Sequence, residues 1–593
     1  MILQALNDYY RRKCDDPDPA QRLPAFGLEQ KEIPFLLEIT SEGELIQLRD
    51  TRTLSGKKKV GQIFRVPQGI KKTSGVAANL LWDTLEYVLG VDTKGKPERT
   101  AEQHAAFVAR LEALPPSARD DVGIQAVLSF LRHLDRPALE AQPAWAQALE
   151  ANAVMSFRLH GDGDLVCQRP AVMKAALNVP TNADEPLAMC LVTGEAAPVQ
   201  RLHASIKGVW GAQSSGANIV SFNARAFESY GKTERQGENA PVSQAAAFAY
   251  TTALNHLLHK DSGQRIQVGD ASTVFWADKD SEFESAAANI FGEPPKDDPD
   301  RGAHAVQALL SAMQTGKVGA LDDDDNYFHM LGLAPNAARI SVRFYHRLKL
   351  HEMGERIRDY FKDLELIRGP HDPQYPSLFK LLAAVAVQNK ADNIPPNLGG
   401  SIIDAVFAGP DVPYPSLWLN TAVSRSRAEQ TPNYLRVAAI KACLNRQIRR
   451  TSLTSSNPLP EKEFLPMLDL SNPNAAYRMG RLFAALEKIQ EESSPGLNAT
   501  IRDRYYGAAS STPVAVFTTL LRLKNSHLKK FSVGRSLWFE KLIGEILETV
   551  TDFPKHLPLP DQGRFALGYY HQRQDFFTKK PTNSTPITES NPS

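Results

Sequence analysis

Cysteine is scarce in this chain: four in 593 residues, at Cys14, Cys167, Cys190 and Cys443. They lie far apart, with no paired metal-ligand spacing. The pattern argues against a zinc finger and against a disulfide framework, and fits a reducing compartment. Long hydrophobic runs are also missing. The longest mostly apolar stretches, such as 381–387, fall well short of the ~20 residues that cross a bilayer. No basic region followed by a long apolar run opens the sequence, so no secretory signal is read and no membrane partner is expected. A cytoplasmic protein is the expectation. Charge of one sign is lacking as well: 68 Lys and Arg stand against 67 Asp and Glu. With a formal charge of only +1, a nucleic-acid partner has to be argued from local clusters.

What is present fits a folded protein, with 42% apolar and 23% charged residues. A single core rarely grows to this length, so several domains are expected. The fold class read from the pattern is α+β, a mixed N-terminal and central region with small β-sheets followed by a C-terminal helical bundle. The expected divisions are 1–145, a mixed domain with recognition elements; 146–375, a central mixed domain; 376–465, a helical connection; 466–580, the bundle; and 581–593, a disordered tail. Ile33, Phe35, Leu37 and Ile39 alternate as a strand does. Val76, Leu81, Leu85, Val88 and Leu89 share a helical face, predicting a helix over 76–90 that Gly90 stops. The clearest helix is 475–490, with Asn474 as its cap and Met479, Leu482, Phe483, Leu486 and Ile489 as its apolar stripe. Arg478, Arg481 and Lys488 are expected to face solvent there.

The stretch 208–223, GVWGAQSSGANIVSFN, combines small residues, amides and hydroxyls and contains neither Asp nor Glu. It can approach a polar surface and hydrogen-bond to it, but cannot do acid–base chemistry alone. Gln213, Ser214, Ser215, Asn218 and Asn223 are its candidate contacts, with a compact structural turn as the plain alternative. Ser214-Ser215-Gly216 is neither a GxSxG elbow nor a GxxxxGK[ST] phosphate loop. Lys57, Lys58 and Lys59 form a basic run. Lys71 and Lys72 precede Thr73 and Ser74, which can cap a helix starting near Val76 and leave its positive end near a phosphate, with Asn79 one turn on. Arg425, Arg427, Arg436, Lys441, Arg446, Arg449 and Arg450, then Arg502, Arg504, Arg522, Lys524, Lys529 and Lys530, recur on helical positions. With Tyr505 and Tyr506 as stacking surfaces, they suit a single-strand groove or a protein contact. His256 and His259, three apart, have no HExxH around them, and His527 sits among lysines. Asp322 to Asp325, with His329, motivate a metal-dependent nuclease, although consecutive aspartates read more simply as a solvated loop.

Several longer strings carry a resemblance. They are Val60-Gly61-Gln62-Ile63-Phe64, Lys72-Thr73-Ser74-Gly75 through Asn79, and Trp82-Asp83 with Tyr87 to Gly90. Further on come the stretch 208–223, Thr273-Val274-Phe275-Trp276 and LAPNAARISVRF at 333–344. The C-terminal strings are YRMGRLF at 477–483, LNATI at 497–501 and GRFALGYY at 563–570. On these the chain resembles, over nearly its full length, the large subunit of the subtype I-C CRISPR interference complex (Cascade). The resemblance implies a non-catalytic, cofactor-free prokaryotic subunit of an RNA-guided machine. Such a subunit recognises the protospacer-adjacent motif (PAM) in duplex DNA, promotes unwinding and R-loop formation, stabilises the displaced strand and supports recruitment of a helicase-nuclease. Implied partners are the guide-RNA-containing complex, its repeated backbone subunits, its crRNA-processing subunit, small subunits like this chain's own C-terminal part, and target double-stranded DNA with its displaced single strand. Internal translation from Met467 or Met479 is the expected source of a small subunit. Lys71, Lys72, Thr73, Ser74, Asn79, Gln213, Ser214, Ser215, Asn218 and Asn223 are then expected near the motif. Lys57, Lys58, Lys59, Arg446, Arg449, Arg450, Arg502, Arg504, Lys524, Lys529 and Lys530 are expected on the backbone or displaced strand. A purely structural assembly subunit is the remaining alternative.

Overall fold

The structure is a computed structural model. It describes residues 1–18, 21–55, 58–70, 75–177, 187–222, 224–232, 236–268, 271–281, 283–284, 287, 291–292, 326–454 and 461–578. Small mixed β-sheets in the N-terminal and central regions are followed by an all-helical C-terminal bundle, the predicted α+β arrangement. The chain divides into two compact units, Met1–Ser205 with Val220–Leu254, and Ile206–Ile219 with Asn255–Ser593.

In the first unit, strand Phe35–Ile39 is buried along its whole length. It pairs antiparallel with Leu45–Asp50 and parallel with Met155–Leu159, and Trp82–Asp83 closes the far edge. Helices Pro97–Glu112 and Val122–Arg132 bury Phe107 and Phe130 against Phe157, with ring centroids 6.4 and 6.0 Å away. A strand buried on both faces needs apolar residues at every position, which is why FLLEI reads as a continuous run. Glu38, the exception, is held by Arg158, Arg49 and Gln47.

The helix expected over 76–90 is a correction. Residues 76–81 are irregular, Trp82–Asp83 is a strand, and only the single turn Leu85–Val88 is helical. Leu81 has φ 63°, and its carbonyl accepts from the Ser156 hydroxyl at 2.8 Å. The Trp82 indole donates to the Pro67 carbonyl at 2.8 Å. The apolar spacing is real, since Leu81, Leu85, Val88 and Leu89 are all buried in this core. Pairing with other elements overrides the local helical period.

In the second unit, strands Arg265–Val268, Ala271–Ala277, Tyr327–Asn336 and Arg339–Lys349 form an antiparallel meander. One core joins Phe275, Phe328, Met330 and Phe344 of this sheet to helices Leu350–Leu364, Leu378–Val385, Leu398–Ala408, Ser416–Ala428 and Tyr434–Thr454. The bundle follows as Ala475–Ser493, Ile501–Ala509, Pro513–Leu528, Val533–Leu547 and Leu559–Phe577. Asn474 caps Ala475–Ser493 as predicted, accepting from Ala476 N and Tyr477 N at 3.0 and 3.1 Å. The first and last bundle helices touch backbone to backbone. A Cβ at Gly480 would lie 2.1 Å from the Phe565 carbonyl oxygen, and one at Gly568 2.0 Å from that of Tyr477. Two of the recognised strings, YRMGRLF and GRFALGYY, are therefore the two sides of one close helix crossing.

Candidate nucleic-acid interface

The acid-free stretch folds in its first part into a tied loop over 206–219, within the second unit. Its base is closed by a two-way backbone pairing, Ile206 N to Ala217 O at 2.8 Å and Ala217 N to Ile206 O at 2.9 Å. Three further hydrogen bonds fix it to the unit. Lys207 N donates to Asn255 Oδ1 at 2.8 Å, Trp210 N to Ser272 Oγ at 2.9 Å, and Ile340 N to the Asn218 carbonyl at 3.0 Å. Gly208 has φ 86°, and a Cβ there would meet the Leu258 carbonyl oxygen at 2.8 Å. Glycine is thus required twice over at that position. Val209 and Ala217 are buried, whereas Lys207, Gln213, Ser214 and Ser215 are exposed. Trp210 is 58% exposed, although its backbone is pinned. The loop therefore holds amide, hydroxyl, indole and ammonium groups outward on a fixed frame. Asn218 belongs to the anchor, half-buried and bridging through its backbone to Arg339 at the hairpin end. Lys207 and Trp210 were missed by the sequence reasoning. The glycines around Trp210 signal turns but do not say which side chain the turns leave outside.

The N-terminal candidates divide differently. Lys57, Lys71, Lys72, Thr73, Ser74 and Asn223 lie outside the described residues. Without a helix starting near Val76, the capping role foreseen for Thr73 and Ser74 falls away. Asn79 is buried, its Oδ1 accepts from Ile70 N at 3.0 Å, and its own N donates to Asp83 Oδ2 at 3.0 Å. This is a correction: Asn79 is buried between Ile70 and Asp83 and is not presented at the surface. Lys58 and Lys59 lie on a separate hairpin, Lys58–Val60 paired with Thr53–Ser55, where Lys59 is exposed.

The cations of the helical half are the largest correction. Arg446 is fully buried. Its Nε donates to Asp363 Oδ2 at 2.6 Å, and its Nη1 to the carbonyls of Ala405, Gly409 and Val412 at 2.7, 2.9 and 3.1 Å. Its guanidinium carbon stands 4.0 Å from the Tyr414 ring centroid, and the Tyr414 hydroxyl donates to the same Asp363 at 3.1 Å. Arg449 joins that carboxylate at 3.1 Å and pairs with Glu463 at 2.7 Å. Lys441 is buried too, donating to the Asp363 carbonyl at 3.0 Å, and burial pulls its ammonium down to about 8. Arg436 is clamped by Glu429 and the carbonyls of Ala384 and Thr431. Arg478 and Arg481, expected in solvent, are buried as well, and Arg481 pairs with Glu545 at 3.0 Å. A buried guanidinium needs a carboxylate and carbonyls around it, and these helices supply both.

In the bundle, Tyr506 is core, ringed by Phe483, Phe565 and Tyr569, so it offers no stacking face. Tyr505 is half-buried against that core. Lys524 pairs with Glu540 at 2.9 Å, and Arg502 lies between Glu487 at 3.9 Å and Asp503 at 3.3 Å. Lys530 donates to Ser494 Oγ at 3.1 Å. Arg450, Arg504, Arg522 and Lys529 remain exposed, with no carboxylate in ion-pair distance among the described residues.

Asp322 to Asp325 lie outside the described residues. His329 is buried, its Nε2 facing Asp278 Oδ1 and its Nδ1 the Tyr345 hydroxyl, each at 2.8 Å, with Trp276 stacked 5.0 Å away. Both ring nitrogens are thus engaged inside the protein. Among the described residues no group of three or more His, Cys, Asp or Glu is placed to hold a metal ion, and no helix is long and apolar enough to cross a membrane.

The chain is matched over residues 6–577 by a family model described as CRISPR-associated protein (Cas_Csd1), and it belongs to that family. This is the large-subunit family of the subtype I-C system, which gives the chain the general role of a Cascade large subunit. No curated protein matches it.

Proposed function

We propose that this chain is the DNA-recognition scaffold of its RNA-guided complex: it reads the protospacer-adjacent motif, promotes unwinding and R-loop formation, and steadies the displaced strand. It also supports recruitment of the helicase-nuclease that cuts. Guide RNA supplies target identity, and this subunit supplies the reading of a short duplex motif. The observation that carries the reading is the tied loop 206–219. It contains no acid, its backbone is pinned at both ends, and it exposes Lys207, Trp210, Gln213, Ser214 and Ser215. A preorganised amide costs little ordering entropy when it meets a base edge, and a neighbouring ammonium meets phosphate.

Lys71, Lys72, Thr73, Ser74 and Asn223 belong to the same reading on family resemblance. Lys59 on its hairpin suits phosphate contact. Arg450, Arg504, Arg522 and Lys529 suit the displaced strand, as exposed cations that follow a backbone without reading sequence. The guide-RNA complex, its backbone and crRNA-processing subunits and its small subunits are the proposed assembly partners.

The test is binding of the reconstituted complex to duplexes with and without the motif. Gln213→Ala and Ser215→Ala should narrow the affinity gap between the two duplexes, by about 1–3 kcal/mol if a bidentate base contact is lost. Lys207→Ala should weaken both equally. An unchanged gap and unchanged affinity in all three variants would refute the assignment of this loop.

A further inference from the structure

A cavity of about 1010 Å³ opens in the first unit. Ligand pockets run from about 300 to 1,000 Å³, so this one has room for a nucleotide and its water. Its walls include Phe26, Gln68, Arg110, Lys174, Gln200 and Gln244, and among the described residues no Asp or Glu lines it. Phe26 is 42% exposed, and buried Phe248 meets its ring edge-on at 5.5 Å, which holds an aromatic face at the wall. Arg110 donates to the Ala78 carbonyl at 2.6 Å but has no carboxylate in ion-pair distance among the described residues. Burial lowers its pKa, and the charge of Asp83, beyond ion-pair distance, only partly opposes that shift. Lys174 is exposed on helix Pro170–Leu177, also without an acidic partner among the described residues.

These groups match the parts of one nucleotide. An aromatic ring stacks on a base face. Glutamine amides both donate and accept, as a base edge requires, whereas a simple anion would call for donors alone. Two cations with no carboxylate in ion-pair distance among the described residues suit a phosphate. A base stacked within a duplex cannot lay its face on a protein ring, so the occupant has to be unstacked.

We infer that this cavity takes a single unstacked nucleotide, with its base on Phe26, its edge toward the glutamines and its phosphate at Arg110 and Lys174. A nucleotide of an opened DNA strand is the source that follows from the proposed function, on which this part rests; a free mononucleotide carries the same chemistry.

The test uses the full chain and a fluorescent thymidine tetranucleotide, followed by anisotropy, with thermal unfolding confirming that each variant folds. Lys174→Glu should weaken binding roughly tenfold or more, and Phe26→Ala by about five- to tenfold, while Lys390→Glu, outside the cavity, should leave it unchanged. A tetranucleotide carrying 4-thiothymidine, irradiated and mapped by mass spectrometry, should form adducts at Phe26 or within 67–70. Adducts confined to other parts of the chain, or equal affinity in all three variants, would overturn the inference. Competition by thymidine monophosphate at equal concentration would assign the site to free nucleotides, and failure to compete would assign it to a strand. Tetranucleotide binding needs no motif, so the two proposals separate. If motif-selective duplex binding persists with the cavity empty, only this inference fails. If the cavity binds the tetranucleotide and the complex shows no preference between duplexes with and without the motif, only the DNA-recognition reading fails.

Discussion

Helix Tyr434–Thr454 and loop 206–219 present opposite uses of polarity. The helix carries five cations within fifteen residues, Arg436, Lys441, Arg446, Arg449 and Arg450, and turns the first three into the protein. The loop carries one cation and several neutral polar groups, and turns most of them out. Counting charge alone would rank the helix first as a nucleic-acid surface. Burial reverses the ranking, because Asp363 has already drawn in the charge of Arg446 and Arg449. A cation engaged by an internal carboxylate is not offered to a phosphate, however basic its neighbourhood reads.

The largest expected effect tests the interior side of this comparison. Arg446→Ala strands Asp363 in the core and should destabilise the second unit by roughly 3–5 kcal/mol, read as a lower urea midpoint. If Arg446 were instead a surface contact, stability would hold and only DNA affinity would drop. Next comes the helix crossing below it. Gly568→Ala forces a methyl group onto the Tyr477 carbonyl and should cost about 3 kcal/mol, measured the same way. A neutral outcome would show that the two bundle helices separate freely.

A pH effect of intermediate size comes from His571, buried beside Lys441, with its Nδ1 2.9 Å from the Tyr477 hydroxyl. Burial first, and the Lys441 charge second, hold its pKa at about 3, against 6.5 for a free imidazole. The folded state therefore refuses a proton that the unfolded chain accepts. Stability from this site is complete above pH 6.5 and is lost as pH falls toward 3, at up to ~1.4 kcal/mol per pH unit. His571→Gln should flatten the difference in urea midpoint between pH 7 and pH 5, and an unchanged slope would place the imidazole in contact with water.

The smallest effect lies on the outer side. Lys529→Ala should leave stability within about 0.5 kcal/mol while lowering the salt slope of DNA binding by roughly 0.7–0.9. A slope that does not move would remove Lys529 from the displaced-strand path.

Legibility in the sequence followed the range of the interactions. Helix Ala475–Ser493 and its Asn474 cap were readable because every signal lies within a few turns. The same stretch misled on Arg478 and Arg481, since solvent exposure of an arginine depends on whether a distant segment brings acceptors. Here Glu545, Ile546 and Gln572 do so. The segment 76–83 misled for a related reason. Its apolar spacing fits a helix, yet Ser156 and Pro67 take its backbone and indole groups from far along the chain. In loop 206–219 the glycines and the absence of acid were visible beforehand, but not the pairing of Ile206 with Ala217 that makes it a fixed frame.

The amino-acid sequence by itself determined the fold class, the strongest helix and its cap, and, through strings at distant places, the family. Those depend on local period, capping chemistry and residue identity. Only the tertiary structure decided which cations remain for a partner. That outcome is set by desolvation and by partners tens to hundreds of residues away, such as Asp363 for Arg446, and no local pattern encodes it.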